Sequence, residues 1–153
     1  MALHRYRFRA EWKLAAPASR VFALLERAEA YPEWWPQVRA IARADEGSGT
    51  GRFRSVLPYV LSVSATMSRY DPEAGVLEIR MHGDLEGWAR WTVRERGEGA
   101  CVALFDQDVE VRKPLLRLLA VPGRPFFAAN HALMMRSGLR GLRALLRRGL
   151  DEE

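Results

Sequence analysis

His131 is the residue whose type and position are best suited to chemistry. It lies in the middle of the apolar side of the last predicted helix, so its imidazole is expected to face the interior. There it can hydrogen-bond a ligand carbonyl or hydroxyl, or act as a general acid or base near neutral pH. A core histidine satisfied by a neighbour or by water is the alternative. His131 is therefore the candidate catalytic residue, with both roles open.

Two amide side chains lie near this position in the predicted arrangement. Gln107 alternates with Asp106 and Asp108 along the last strand, so it faces inward. A buried amide needs hydrogen-bond partners, and a ligand is one candidate. Asn130 lies on the flank of the helix, where a surface role is favoured.

Aromatic and sulfur-containing side chains are frequent on the predicted inner faces. They suit a pocket for a hydrophobic molecule, because aromatic surface is apolar and methionine adapts to irregular shapes. Most such residues form plain core in any domain, so about one third should touch a ligand. The set is Phe53, Tyr59, Met67, Met81, Trp91, Phe105, Phe127, Met134 and Met135.

Two glycines and two tryptophans each leave a pair of alternatives open. Gly138 and Gly141 lie on the inward side of the last helix. They either keep space for a ligand or permit close helix–sheet packing. Trp34 and Trp35 either gate the mouth of a cavity or pack against the long helix.

Other kinds of site are not predicted. His4, His82, His131 and Cys101 lack the spacing of metal ligands. The glycine-rich segment 47–51 has neither the lysine nor the strand-to-helix setting of a phosphate loop. A G-x-S-x-G elbow is missing as well. We therefore expect no metal and no cofactor.

The elements that position these residues follow from periodicity and turn signals. Residues 5–14 alternate with period two and predict a half-buried strand. Pro17 opens a short helix with an apolar stripe, and Pro32 and Pro36 limit 31–36 to a helical turn or a loop. Segments 46–51, 71–75 and 97–99 predict turns. The intervening strands are predicted over 52–59, 60–69, 76–82, 88–96 and 101–112.

Strands joined by short turns indicate an antiparallel meander that needs a cover on one face. The predicted cover is a helix over 126–148. Its inward side carries Phe127, His131, Met134, Gly138, Gly141, Leu142 and Leu145, and Arg136, Arg140, Arg143 and Arg147 lie opposite.

Length and composition predict one domain. The chain has 153 residues, 48% of them hydrophobic, which suits a single core over 1–150 followed by an acidic tail, 151–153. One cysteine fits a reducing compartment. No signal-peptide pattern and no apolar run near the roughly 20 residues of a membrane span are present. A cytoplasmic location is the expectation.

The basic charge is concentrated near the C-terminus. Net charge is +5, and 111–150 holds nine basic residues and no acidic one. The arginine face of the last helix suits an anionic membrane surface, although a solvated face is the favoured alternative. Nucleic-acid binding is not expected, because interleaved surface aromatics and a recognised module are missing.

The order of elements resembles the helix-grip fold of the SRPBCC (START and birch-pollen-allergen-like) superfamily. More narrowly, the chain is similar to the bacterial polyketide cyclase/dehydrase and lipid-transport family. The resemblance rests on residues 16–25 and 31–36, on Gly83 and Trp91, and on Asn130-His131 with Gly138-Leu139. It implies an α+β fold. A curved antiparallel sheet of about six to seven strands would wrap a long C-terminal helix, with two short helices after the first strand.

The resemblance implies binding or transport of a small hydrophobic molecule, such as a lipid, an isoprenoid or a polyketide-like compound, in an internal cavity. The alternative is a polyketide cyclase/dehydratase in which His131 and Gln107 steer proton transfer. A third hypothesis is a lipid handler that faces an anionic membrane through its arginines. Ligand identity and oligomeric state stay open. The expected ligand-binding residues are Trp35, Phe53, Tyr59, Met67, Met81, Trp91, Phe105, Gln107, Phe127, Asn130, His131, Met134 and Gly138.

Overall fold

Seven strands form one antiparallel sheet in the computed structural model, which describes residues 5–43, 48–54, 60–112 and 124–151. The strands are β1 (Arg5–Leu14), β2 (Val38–Arg43), β3 (Ser48–Arg54), β4 (Val60–Asp71), β5 (Val76–Gly83), β6 (Leu85–Glu95) and β7 (Cys101–Val111). Their spatial order is β1-β7-β6-β5-β4-β3-β2. Strand β1 therefore pairs with β7, the last strand, and not with β2, and it forms one edge of the sheet.

Three helical segments within the described part of the chain accompany the sheet. Helix α1 (Ala18–Glu26) follows Pro17, whose carbonyl accepts hydrogen bonds from the first turn. A 3₁₀ helix (Ala28–Glu33) contains Pro32, which lacks the N–H that a longer α-helix would use. The long helix α2 spans Arg124–Asp151. Within the described ranges, no helix is both long enough and apolar enough to cross a membrane.

These elements confirm the predicted helix-grip fold, and the bounds of β1 match those predicted. Several boundaries were wrong, among them the start of β6, which lies at Leu85 instead of residue 88, and two of them have a clear physical reason. Strand β3 begins at Ser48, inside the predicted turn 46–51, because Gly49 and Gly51 pair through backbone groups that glycine also possesses. Helix α2 begins at Arg124, before the predicted start, because Pro125 is tolerated in a first helical turn.

The inner face of the sheet follows the predicted alternation. On β7, Ala103, Gln107 and Val109 are buried while the aspartates between them are only half-buried. Pairing aligns inner residues into rows across the strands. One row runs through Phe8, Gln107, Ala89, Ile79 and Met67. The next row runs through Ala10, Phe105, Trp91 and Leu77.

One end of the inner face is packed with indole rings. Trp12 contacts Trp34, Trp35 and Trp91, with ring centroids 6.4, 5.4 and 4.7 Å away respectively. The same core cluster includes buried residues of α1 and, from α2, Met135, Leu142 and Leu146. Burial of large aromatic surface stabilises this end of the domain most strongly. It also fixes the position of α2 above the sheet.

Candidate functional site

A pair of polar side chains bridges α2 and the sheet within apolar surroundings. His131 Nε2 lies 3.0 Å from Gln107 Oε1. Gln107 is only 6% exposed, and its Nε2 donates to Met81 Sδ at 3.3 Å. The structure therefore brings together three of the predicted site residues, one from α2 and two from neighbouring parts of the sheet.

The contacts of Gln107 fix the tautomer of His131. A thioether sulfur can accept a hydrogen bond but cannot donate one, so the amide nitrogen of Gln107 belongs beside Met81. The amide oxygen then faces the imidazole, and His131 Nε2 must be the donor. In the neutral ring, Nδ1 is consequently an acceptor. Among the described residues, Nδ1 has no hydrogen-bond partner.

Aromatic rings enclose the imidazole. Phe8 of β1 stacks on His131 with centroids 3.9 Å apart and an angle of 7° between the rings. Phe105 lies 5.9 Å from it. Burial in this apolar setting lowers the pKa of His131 from 6.5 to about 4, because the charged form loses its hydration. The ring is thus uncharged at neutral pH.

A solvent-open groove of about 400 Å³ runs between edge strand β1 and α2. Its β1 wall consists of residues 7–12, and His131 is part of its helix wall. The helix residues lie at positions 128, 131, 132, 135, 136 and 139, a spacing that places them on one face. Ala128 and Ala132 also line the groove, and their small side chains take up little of the space beside the imidazole. The groove volume falls within the range of small-molecule sites.

Gly138 and Gly141 of α2 do not border open space. A Cβ on Gly138 would lie 2.5 Å from Trp35 Cε2, and one on Gly141 would overlap the Trp34 carbonyl oxygen. The indole N–H of Trp35 donates to the Met134 carbonyl at 2.9 Å. Both tryptophans are buried. Close packing therefore occurs between α2 and the segment before β2, a partner that the two sequence alternatives for the glycines did not include.

The other predicted site residues are distributed along the inner face and α2. Trp91 and Phe105 touch one another, with centroids 4.9 Å apart, in the row beside Gln107. Met67 ends the Gln107 row, far from the helix contact. Met134 joins the tryptophan cluster, and Asn130 is half-buried. Phe53 lies in β3 and Phe127 in the first turns of α2, whereas Tyr59 lies outside the described residues.

The residues of β1 that complete the site are not among those predicted from the sequence. Alternation places Phe8 on the inner face of its strand without a binding role, and it places Arg7 and Arg9 on the surface. No local sequence signal could have found them, because their place in the site follows from the position of β1 at the sheet edge, beside α2. No group of three or more potential metal ligands occurs in the parts of the chain described here.

The family model for polyketide cyclase/dehydrase and lipid transport matches residues 5–147. No curated protein matches the chain. Similar solved structures include the Zhui aromatase/cyclase from Streptomyces sp. R1128, with 15% identity, a TM-score of 0.78 and 96% of each chain covered. A START superfamily protein from Mycobacterium smegmatis has 18% identity and a TM-score of 0.72, with 93% of this chain and 97% of that chain covered.

A conserved protein from Geobacillus kaustophilus shares 7% identity at a TM-score of 0.76, with 94% of this chain and 96% of that one covered. Such low identities establish the shared fold and leave the ligand open. The family model covers nearly all of the chain and confirms the predicted family. The chain belongs to the polyketide cyclase/dehydrase and lipid transport family.

Proposed function

We propose that the chain binds a small hydrophobic molecule between the sheet and α2 and holds it by a hydrogen bond to His131. The observation that carries this proposal is the state of the imidazole. Its Nε2 is committed to Gln107, and its Nδ1 is an acceptor without a partner among the described residues. A hydroxyl or phenol on an otherwise apolar ligand supplies the matching donor. The groove beside β1 gives such a molecule access.

The same imidazole favours binding over acid–base catalysis. A general base works best when its pKa lies near the operating pH, and the pKa of His131 is about 4. Its polar partner is the neutral amide of Gln107 rather than a carboxylate, so this contact does not stabilise an imidazolium as a negative charge would. A neutral ring is nevertheless a good hydrogen-bond acceptor for a ligand.

Two naphthalene derivatives test the hydrogen bond. The chain should bind 2-naphthol more tightly than 2-methoxynaphthalene, which has a similar apolar body but no donor. The difference should be about fivefold, since a hydrogen bond contributes roughly 1 kcal/mol net. His131→Phe keeps an aromatic ring in the stack with Phe8 but removes Nδ1, so it should erase the preference. Isothermal titration calorimetry measures both affinities.

The matched control is His82→Phe, because His82 is exposed on β5, away from the groove. This variant should keep the preference for 2-naphthol. Circular dichroism checks that each variant is folded, since His131→Phe leaves the Gln107 oxygen without its donor. Equal affinity of the native chain for the phenol and its ether would refute the role of His131. Failure to bind either compound would refute the binding function.

A polyketide cyclase/dehydratase activity is the second candidate. It is supported by the family itself and by the aromatase/cyclase fold neighbours. In this case the groove would orient the chain of an aromatic polyketide-like substrate, and His131 with Gln107 would direct proton transfer. Turnover of such a substrate by the native chain, with loss in His131→Phe, would favour the enzyme. Unchanged turnover in the variant would remove this role.

The arginine face of α2 supports a third element of the proposal, peripheral contact with an anionic membrane. Arg136, Arg140, Arg143 and Arg147 are all exposed. Leu133, on the same helix, is 48% exposed. An exposed apolar side chain among cations is the combination that favours an anionic lipid surface. A hydrophobic cargo could then be exchanged with the bilayer.

A further inference from the structure

Residues from both faces of β1 line the groove between β1 and α2. Its β1 wall consists of residues 7–12, which alternate between the outer and the inner face of the sheet. The surface that successive residues of a strand share is its edge, where the backbone N–H and C=O groups lie. Because β1 is the edge strand of the sheet, the groove runs along the open edge of β1.

The backbone groups on this edge belong to the odd-numbered residues of β1. In an antiparallel strand, the N–H and C=O of one residue point to the same side, and those of the next residue point to the opposite side. The Lys13 carbonyl accepts a hydrogen bond from Arg143 of α2, so it points away from β7. The same parity directs the N–H and C=O groups of Arg7, Arg9 and Glu11 into the groove, where they have no hydrogen-bond partner among the described residues.

Hydrogen bonds inside the sheet give the same assignment. The Val93 N–H donates to the Gly75 carbonyl at 2.8 Å, so the odd-numbered residues of β6 point toward β5. The even-numbered residues of β6 then point toward β7, and they stand opposite even-numbered residues of that strand. The odd-numbered residues of β7 consequently point toward β1, where they stand opposite even-numbered residues. The odd-numbered residues of β1 are left to face the groove.

The outer side chains of this edge favour a partner strand with acidic residues. Arg7 and Arg9 are 47% and 72% exposed. Asp106 accepts two hydrogen bonds from Arg7 but lies 3.7 Å from Arg9, so the Arg9 guanidinium is free to pair with a further carboxylate. Directly opposite residues of an antiparallel pair share one face of the sheet and interact. A complementary strand therefore has acidic residues opposite the two arginines and a basic residue opposite Glu11.

The inner side of the groove favours apolar residues at the alternate positions of such a strand. Helix α2 lies on the inner face of the sheet, so it meets only the inward side chains of an added strand. Ala128 and Ala132 line this part of the groove and are exposed, and Leu139 lines it while half-buried. Apolar side chains above them would bury surface that is now in water.

We infer that the open edge of β1 binds an extended peptide segment of another protein, paired antiparallel with residues 7–11. The segment alternates acidic residues, which face outward, with apolar residues, which face α2. Strand addition of this kind takes its affinity from backbone hydrogen bonds and its specificity from alternate side chains. The inference goes beyond the proposed function, because it concerns the edge of β1 and a macromolecular partner.

The probe is the peptide acetyl-Lys-Val-Glu-Val-Glu-amide, which sets its lysine opposite Glu11 and its glutamates opposite Arg9 and Arg7. The native chain should bind it at least about threefold more tightly than the charge-reversed peptide acetyl-Glu-Val-Lys-Val-Lys-amide. An NMR titration measures both affinities. Equal affinity for the two peptides would overturn the choice of an acidic partner, and failure to bind either would overturn the inference.

N-methylated peptides test the strand pairing itself. In the proposed register, the N–H groups of the glutamates face β1 and those of the valines face away. Methylation of both glutamate nitrogens should weaken binding by about tenfold or more, since two hydrogen bonds are lost. Methylation of both valine nitrogens should change the affinity by less than about threefold. Equal losses from the two methylated peptides would overturn the pairing.

Variants of Arg9 test the same edge from the side of the protein. Arg9→Ala should weaken binding of the acidic peptide, whereas the control Arg94→Ala removes the same charge from an exposed position outside the groove and should bind like the native chain. Arg9→Pro also removes an outward N–H while keeping the hydrogen bonds to β7, so it should weaken binding further. Equal affinity of the native chain, Arg9→Ala and Arg9→Pro would contradict the edge site.

Hydrogen exchange followed by NMR locates the bound peptide. The amide hydrogens of Arg7, Arg9 and Glu11 should exchange rapidly in the free chain and at least about tenfold more slowly when the acidic peptide is bound. Unchanged exchange in the complex would overturn the inference. A native chain that sediments as a dimer, and as a monomer in Arg9→Pro, would assign the edge to a second copy instead. The affinity for 2-naphthol, measured separately, decides the proposed function.

Discussion

The imidazole of His131 is partly buried, and one of its two nitrogens makes a hydrogen bond within the described residues. Phe8 covers its face, Gln107 takes its Nε2 hydrogen, and Nδ1 remains an acceptor. Nδ1 is not among the buried side-chain atoms of the described residues that lack a partner, so a donor in the groove can reach it. This accessible acceptor connects the packing of the residue with recognition of a ligand.

The pKa of His131 predicts a specific pH dependence of stability. The folded value of about 4 lies below the unfolded value of 6.5, so the unfolded chain binds more protons between these pH values. The free energy of unfolding should therefore fall as pH decreases from 6.5 to about 4, by roughly 2–3 kcal/mol from this residue. Urea unfolding at several pH values measures the effect.

His131→Phe removes the titrating group, so the slope of stability against pH in this range should become flatter than in the native chain. The comparison uses slopes, because the variant is also destabilised by the orphaned Gln107 oxygen. An NMR titration of the His131 ring proton in the native chain gives the pKa directly. A midpoint near the ordinary value of 6.5, or an unchanged slope in the variant, would contradict the assigned burial.

At the scale of residues, the sequence predicted which side chains point inward but not which of them touch each other. Period-two alternation put Gln107 inward and the helical period put His131 inward, and both side chains meet between α2 and the sheet. Their contact depends on how far α2 is shifted along the sheet, which the tryptophan packing determines. Long-range packing of this kind leaves no local trace in the sequence.

At the scale of elements, α2 approaches the segment before β2 closely. Gly141 lies directly under the Trp34 carbonyl and Gly138 under the Trp35 indole. Among the positions of α2 whose burial is described, the buried ones are Met135, Gly138, Leu142 and Leu146. The predicted inward side included Gly138 and Leu142 but missed Met135 and Leu146, and His131, which it also included, is only half-buried.

Gly141→Ala should destabilise the fold by about 2 kcal/mol or more. Alanine favours a helix by roughly 1 kcal/mol over glycine, but its Cβ would overlap a backbone oxygen that cannot rotate away. Thermal unfolding followed by circular dichroism measures the change. The neighbouring Ser137→Ala adds no atoms and should leave the melting temperature nearly unchanged. Increased stability in Gly141→Ala would contradict the close approach.

Element boundaries were predictable where a single period dominated. The first strand alternates without interruption, and its bounds were confirmed. The start of β3 was not predictable from Ser48, Gly49 and Gly51, because pairing with β4 overrides the local preference of these residues for turns. Local pattern does not reveal the edge position of β1 either, because that position results from pairing between the first and last strands. The groove depends on that pairing.

At the scale of the whole molecule, the two sides of the domain carry charge differently. On the outer face of the sheet, arginines form ion pairs with acidic side chains, for example Arg5 with Asp108 and Arg90 with Glu78. Along α2, by contrast, 124–150 contains no acidic residue. An unbalanced cationic helix creates a local positive potential that a balanced sheet does not. Contact with an anionic surface should therefore occur through α2.

Arg140→Gln/Arg147→Gln should weaken binding to vesicles of phosphatidylcholine with phosphatidylserine. Each arginine near such a surface contributes about 1 kcal/mol, so a loss of roughly tenfold or more is expected. The control Arg94→Gln/Arg96→Gln removes the same charge from exposed positions at the end of β6 and just after it, and should bind like the native chain. Co-sedimentation measures the bound fraction. Equal binding to pure phosphatidylcholine would show that the arginines attract no membrane.

The hydrogen bond from Arg143 to the Lys13 carbonyl, 2.9 Å long, has a consequence for how copies of the chain coexist. Strand β1 is the edge of the sheet, and its free backbone groups would otherwise offer a template for an incoming strand. The guanidinium occupies one of these acceptors, and the cationic side chains of β1 repel an identical strand laid antiparallel beside it. Pairing of two copies of the chain through the β1 edge should therefore be disfavoured by the same helix that packs against the inner face of the sheet.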